Sequence, residues 1–154
     1  MAQRTVVETI SGATLAISAT IPSTYDDVGY SSTDVVFTLV GEVENYGNHG
    51  VVANITEFTP VDTAVVTKLK GSKNYGAMAL TIGNLPSDAG QAILKLAAES
   101  NAHYSVRITY PDTEVHYLDV IVGSFEYVDG AVNDVQKVNC SLALCRAPVI
   151  VPQA

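Results

Sequence analysis

Between Arg4 and Lys68 the chain contains no lysine or arginine, although the same span holds Glu8, Asp26, Asp27, Asp34, Glu42, Glu44, Glu57 and Asp62. Eight basic residues stand against sixteen acidic ones, a formal charge of −8. That balance excludes a nucleic-acid clamp, because neutralising phosphates takes a clustered basic face. Tryptophan is absent and aromatics make up 7% of the residues, which is thin provision for a small-ligand pocket. No apolar run approaches the roughly eighteen residues of a membrane helix. The opening MAQRTVVETISG offers one arginine without the apolar stretch or cleavage site of a signal peptide. A soluble protein made in the cytoplasm, with no membrane partner, is expected. A chain of 154 residues can bury one core without disulfides or metal, so residues 1–154 are read as a single domain.

Cysteine and histidine are equally sparse. Cys140 and Cys145 lie in one strand-like run, an odd number of residues apart, and so should face opposite sides. Five residues of strand span about 17 Å, beyond the reach of a disulfide, and two free thiols suit a reducing compartment. His49, His103 and His116 show no pair at the spacing of a metal site on one element. No G-x-S-x-G elbow is present for a nucleophilic serine, and the acid pairs Asp26-Asp27 and Glu42/Glu44 read as solvated. No catalytic residue, cofactor or metal is expected.

Three of the few lysines crowd into KLKGSKNYG, residues 68–76. Gly71 and Gly76 have the spacing that opens a phosphate-binding loop. That chemistry needs Lys and then Ser or Thr next, opening a helix. Ala77 and Met78 stand there instead, and AMALTIG reads as a strand.

Strand signals dominate. In HYSVRITY, Tyr104, Val106, Ile108 and Tyr110 alternate with polar residues, as in a half-buried strand. Pro111-Asp112-Thr113 breaks it, and EVHYLDVIVGSFEYV returns as the other arm of a hairpin. Asp129-Gly130 marks a second turn, after which Val138, Cys140, Leu142 and Leu144 alternate in a third strand. ATLAISAT, DVVFTLV, VVANITEF and AMALTIG are further strand candidates. One helix is expected at about 87–100, capped by Ser87 or Asp88, with Asp88 and Gln91 at capping-box spacing and an apolar stripe of Ala89, Ala92, Ile93, Leu96 and Ala97.

Two stretches are unlike ordinary connections. Residues 20–34, TIPSTYDDVGYSSTD, are polar, acidic and turn-rich. Residues 59–76 carry the lysines and show little alternation after Val66; loops of that length are usually functional or disordered. A cationic arm on an acidic molecule suggests an acidic partner surface, and the nearest candidate is another copy of the chain. At 47% hydrophobic and 16% charged, the composition also leaves apolar surface over for an interface.

The order of parts is a strand after SGATL, an acidic turn-rich stretch, a strand pair, the arm in ITEFTPVDTAVVTKLKGSKNYGAMALTIG, a helix with GQAILKLAAES, then ITYPDTEVHYLDVIVGSF and VNDVQKVNCSLALCRAP. In this order and spacing, over roughly residues 10–150, the chain resembles the major tail tube protein of long non-contractile tailed bacteriophages, the lambda-like siphophage type. The resemblance implies a mainly β fold, a β-sandwich or half-barrel with one flanking α-helix and a long inter-strand arm at about 59–76. It also implies homo-hexameric rings whose sheets join into one continuous β-barrel and stack head to tail into a hollow tube for DNA passage. Tape-measure, tail-tip and tail-terminator proteins would be partners, and the virion tail the location after assembly in the host cytoplasm. On this reading Lys68, Lys70 and Lys73 form an inter-ring contact arm, with Asp26, Asp27 and Asp34 as acidic partners on a neighbour. Glu42, Glu44, Glu57 and Asp62 are lumen candidates, where like charge would keep DNA from adsorbing. The lambda member has a further immunoglobulin-like domain; no additional C-terminal domain is expected here. A contractile-tail or secretion tube protein would share ring and fold. The alternative from another class is a small-ligand-binding β-barrel or lectin-like module with an enclosed pocket.

Overall fold

The computed structural model describes residues 5–152, so Arg4 and the last two residues lie outside the described part of the chain. Ten strands and two helices run in the order β1 (Thr14–Ser18), α1 (Asp27–Tyr30), β2 (Thr38–Val40), β3 (Val43–Asn45), β4 (Val52–Phe58), β5 (Thr67–Asn74), β6 (Ala77–Gly83), α2 (Ala89–Ala98), β7 (Tyr104–Thr109), β8 (Val115–Val128), β9 (Lys137–Leu144) and β10 (Val149–Val151). The main sheet has the order β2-β1-β7-β8-β9-β6-β3, with β10 paired to β8, and all its pairings are antiparallel. Its two terminal strands, β2 and β3, are joined by only Gly41 and Glu42. The sheet therefore curls so that its ends converge at this link without pairing, and α2 packs against β8, β2 and β1.

Period-two patterning fills the interior. Leu15, Ile17, Met78, Leu80, Ile82, Val106, Ile108, Leu118, Val120, Val122, Val138 and Leu142 all point inward and are at most 2% exposed. The β7–β8 hairpin turns as the Pro111 to Thr113 signal indicates. Tyr110 N–H donates to Glu114 O at 2.9 Å, and Thr113 takes a left-handed φ of 73°, the three-residue loop in which a type I turn is followed by a left-handed residue. At Asp129-Gly130 the connection is longer, since β9 begins only at Lys137. The long β8 pairs with β7 and β10 along its first half and with β9 along its second, where the register shifts between Val122 and Ser124.

Several expectations change. The polar face of β7 is largely withdrawn from solvent: Ser105 and, beside it on β8, Asp119 are buried, and Arg107 and Thr109 are half-buried. Residues 20–37 cover that face. Tyr30 stacks on Tyr117 with centroids 5.0 Å apart, Arg107 lies over the Phe37 ring at 4.7 Å, and Arg146 lies over Tyr25 at 3.7 Å. The acidic stretch is thus an ordered cover containing a second, one-turn helix. Asp26 caps α1 by accepting from Gly29 N–H at 2.8 Å and from the Thr24 hydroxyl at 2.8 Å, bonds that hold its carboxyl below the usual range. In DVVFTLV only the last three residues form a strand.

The helix buries a different face from the apolar stripe. Gly90, Gln91, Leu94 and Ala97 are buried, while Ala89, Ala92 and Leu96 are not. The reason is local. A Cβ on Gly90 would sit 2.3 Å from Leu39 O, so only glycine lets α2 approach β2 this closely. Gln91 beside it spends its amide on the barrel seam.

Candidate functional site

Asp88 and Gln91 do more than cap a helix. Asp88 accepts from Gln91 N–H at 3.0 Å, the N-cap bond, and from Gly41 N–H at 3.1 Å. The Gln91 amide does not return to the N-cap residue as a capping box would. Its oxygen accepts from Leu85 N–H at 2.9 Å, and its nitrogen donates to Gly41 O at 3.1 Å and Gly83 O at 2.9 Å. Gly83 N–H in turn donates to Glu42 O at 2.8 Å. One buried side chain thus ties the β2–β3 link, the end of β6 and the entry to α2 into a single seam. Glu42 holds a left-handed φ of 60° there, and Glu44 pairs with Lys137 at 2.7 Å.

From this body projects a second, two-stranded sheet, β4–β5. Residues 67–74, read from sequence as part of a structureless segment, form a strand. The arm is a β-hairpin of residues 52–74 whose tip spans 59–66. Both strands are exposed along almost their whole length. Cross-strand pairs Ile55↔Lys70 and Glu57↔Lys68 share one face; Thr56↔Leu69 and Phe58↔Thr67 share the other. The ribbon is therefore two-sided, with Lys68, Lys70 and Glu57 on one side and Phe58 and Leu69 on the other. Lys73 pairs with Ala53 beyond a register shift. Phe58 and Leu69 are 59% and 55% exposed, and Val61 at the tip is fully so.

The sequence-derived residues fall into separate places. Lys68, Lys70 and Lys73 all lie on β5, and Lys68 Nζ is 3.9 Å from Glu57 within its own hairpin. Asp26 and Asp27 lie at the start of α1 and Asp34 in the turn before β2; no described ion pair joins them to the arm lysines. The four lumen candidates split: Glu42 and Glu44 lie at the seam, Glu57 on the arm and Asp62 at its tip.

Sequence spacing missed a contact at the arm's base. His49, three residues before β4, places Nε2 2.7 Å from His116 Nδ1, and His116 Nε2 is 2.7 Å from Glu114 Oε1. Tyr110 packs edge-on to His116. Burial and the facing His116 hold His49 below its ordinary value. Cys140 is buried, which pushes its thiol up to about 12, while Cys145 is exposed; the two face opposite sides as their spacing requires. Buried side chains pack together inside the curled sheet, among them Met78, Leu80, Leu94, Leu118 and Leu142. An open cleft of about 360 Å³ lies beside Lys95, Phe125 and Tyr127.

The chain has the fold of phage tail-tube proteins. Over 92% of its length it resembles a chain of the SPP1 tail tube, with 16% identity, a TM-score of 0.59 and 77% of that chain covered. It also resembles a chain of the six-fold symmetrised anti-feeding prophage baseplate (TM-score 0.63, 10% identity, 99% of this chain and 98% of that one). A third likeness is to the tail of an empty GTA particle refined with C6 symmetry (TM-score 0.61, 11% identity, 96% and 100%). No family model and no curated protein matches the chain.

Proposed function

We propose that this protein is a structural subunit of a phage tail tube, and that six copies form a ring which stacks head to tail on further rings. The observation that carries the reading is the likeness, over nearly the whole chain, to a chain of the SPP1 tail tube, joined by likenesses to two six-fold assemblies. The projecting hairpin supports it. An exposed ribbon with open edges and an apolar side is a liability in a monomer and a natural contact in a polymer. Its lysine side meets Asp26, Asp27 or Asp34 of a subunit in the adjacent ring, and its Phe58 and Leu69 side meets apolar surface there. Such contacts join different patches, so they propagate into an open filament rather than a closed oligomer.

The tube conducts DNA without binding it. With −8 per subunit, Glu42 and Glu44 at the seam and Glu57 and Asp62 on the arm are the candidates for an acidic lumen that repels phosphate. Tape-measure, tail-tip and terminator proteins complete the tail, which locates the protein in the virion after assembly in the host cytoplasm. The role is structural, without catalysis.

Negative-stain electron microscopy of the purified protein, with and without the double substitution Lys68→Glu, Lys70→Glu, tests this. Six-fold rings or tubes in the wild type that are lost on charge reversal are expected. A wild type that stays monomeric both alone and in the presence of tail-tip complexes would overturn the proposal.

A further inference from the structure

We propose that His103, Asp119 and Cys145 bind a divalent transition-metal ion of the zinc type on the sheet face turned away from the core. Tyr104, Val120 and Leu144 form one row across β7, β8 and β9 and point inward. Alternation then carries their chain neighbours His103, Asp119 and Cys145 to the opposite face. Cys145 N–H donates to Asp119 O at 2.9 Å, which locks the cysteine beside the carboxylate. The His103 ring nitrogen, an Asp119 carboxylate oxygen and Cys145 Sγ all lie within 4.8 Å of one another. His103 Nδ1 is 3.2 Å from Asp119 Oδ1.

Zinc bonds of about 2.0–2.3 Å at tetrahedral angles set ligand atoms about 3.3–3.8 Å apart. Closing the trio on an ion takes about one ångström of side-chain motion. His103, just before β7, and Cys145, just after β9, are exposed, and the motion gives up only the weak Cys145 Sγ–H contact to Ala143 O at 3.7 Å; Asp119 is 1% exposed and stays put. Imidazole with thiolate selects zinc-like ions over magnesium or calcium. Three protein ligands leave a fourth position for water or for a group from another chain. Arg146 supports the arrangement from outside. Its Nε bonds Asp119 Oδ2 at 3.2 Å while its guanidinium rests on Tyr25, which fixes the carboxylate's orientation, as outer hydrogen bonds do at metal centres.

The experiment uses the full chain, kept reduced, stripped with a chelator and read before any assembly, so its outcome does not depend on tube formation. Zinc is titrated against a chromogenic chelator, and cobalt(II) serves as the spectroscopic probe. One equivalent of zinc per chain and a thiolate-to-cobalt charge-transfer band are expected. Cys145→Ser should abolish the band and, like His103→Gln, weaken zinc binding at least about 10-fold, while His49→Gln changes neither. Both mutated side chains are exposed, and an unchanged far-UV circular dichroism spectrum verifies the fold. Zinc binding unaltered in Cys145→Ser, or no zinc retained by the wild type, would show that His103 and Arg146 serve only as contacts of the buried Asp119 carboxylate.

Discussion

At the scale of single residues, the structure turns on positions whose side chains look ordinary in the sequence. Gly90 is one. Alanine is favoured over glycine in a helix by about 1 kcal/mol, but a Cβ here meets backbone atoms of Leu39 and Val40 within 2.7 Å, and such overpacking costs about 1–3 kcal/mol. Backbone cannot swing aside, so the clash wins: Gly90→Ala should lower the urea midpoint. Gln91 is another. Gln91→Leu leaves Leu85 N–H, Gly41 O and Gly83 O without their partner and should cost at least about 2 kcal/mol, read as a lower midpoint at unchanged m. His49 adds a pH dependence. Its lowered value means the fold favours the neutral ring; stability is held above about pH 6.5 and lost as pH falls through the lowered His49 value. Urea unfolding at about pH 7.5 and about pH 5 should show a larger drop for wild type than for His49→Gln. Equal drops would assign the effect elsewhere.

At the scale of elements, the sequence reports strands well and surfaces poorly. Met78, Leu80 and Ile82 in β6, and Val138, Cys140, Leu142 and Leu144 in β9, alternate cleanly because one side of each strand meets the core and the other does not. Strands β1 and β7 are covered on both sides, and the cover comes from residues 20–37, whose aromatic rings are dispersed among acids and serines. The arm's second strand was illegible for the opposite reason. With both faces in solvent, nothing selects for buried alternation, and only Leu69 among the lysines marks its inner period. The arm packs chiefly on itself, so it should matter little to the monomer. Lys68→Glu, Lys70→Glu should change the unfolding free energy by about 0.5 kcal/mol or less per site, while the proposed stacking of rings predicts that it abolishes assembly. A comparable loss of monomer stability would mean that the arm docks on its own body.

At the scale of the whole molecule, the sheet's curvature decides what can be built. β2 and β3 approach at Gly41–Glu42 but do not pair, so both remain edge strands of the main sheet, and the exposed β4–β5 hairpin adds a second two-stranded β surface beside them. If acidic patches and arm lysines make the contact between rings, assembly should weaken with salt, since exposed charges are screened within about 10 Å at 0.1 M and about 3 Å at 1 M. Sedimentation or light scattering across that range checks this. Assembly that strengthens with salt would instead assign the contact to the apolar side of the arm, Phe58 and Leu69.

By itself the sequence determined the mainly β class, the β7–β8–β9 meander, the single long helix capped at Ser87 or Asp88, and the location of a lysine-rich arm. Each is written in local periodicity, turn residues or charge order, which neighbouring residues carry without help from distant ones. Only the tertiary structure decided that Gln91 stitches the barrel seam, that residues 20–37 roof the sheet, and that His49 meets His116. It alone brought His103, Asp119 and Cys145 together. Gln91 and Gly41 are 50 residues apart, His49 and His116 67, and His103 and Asp119 16, and no local pattern encodes a meeting that depends on how the sheet rolls.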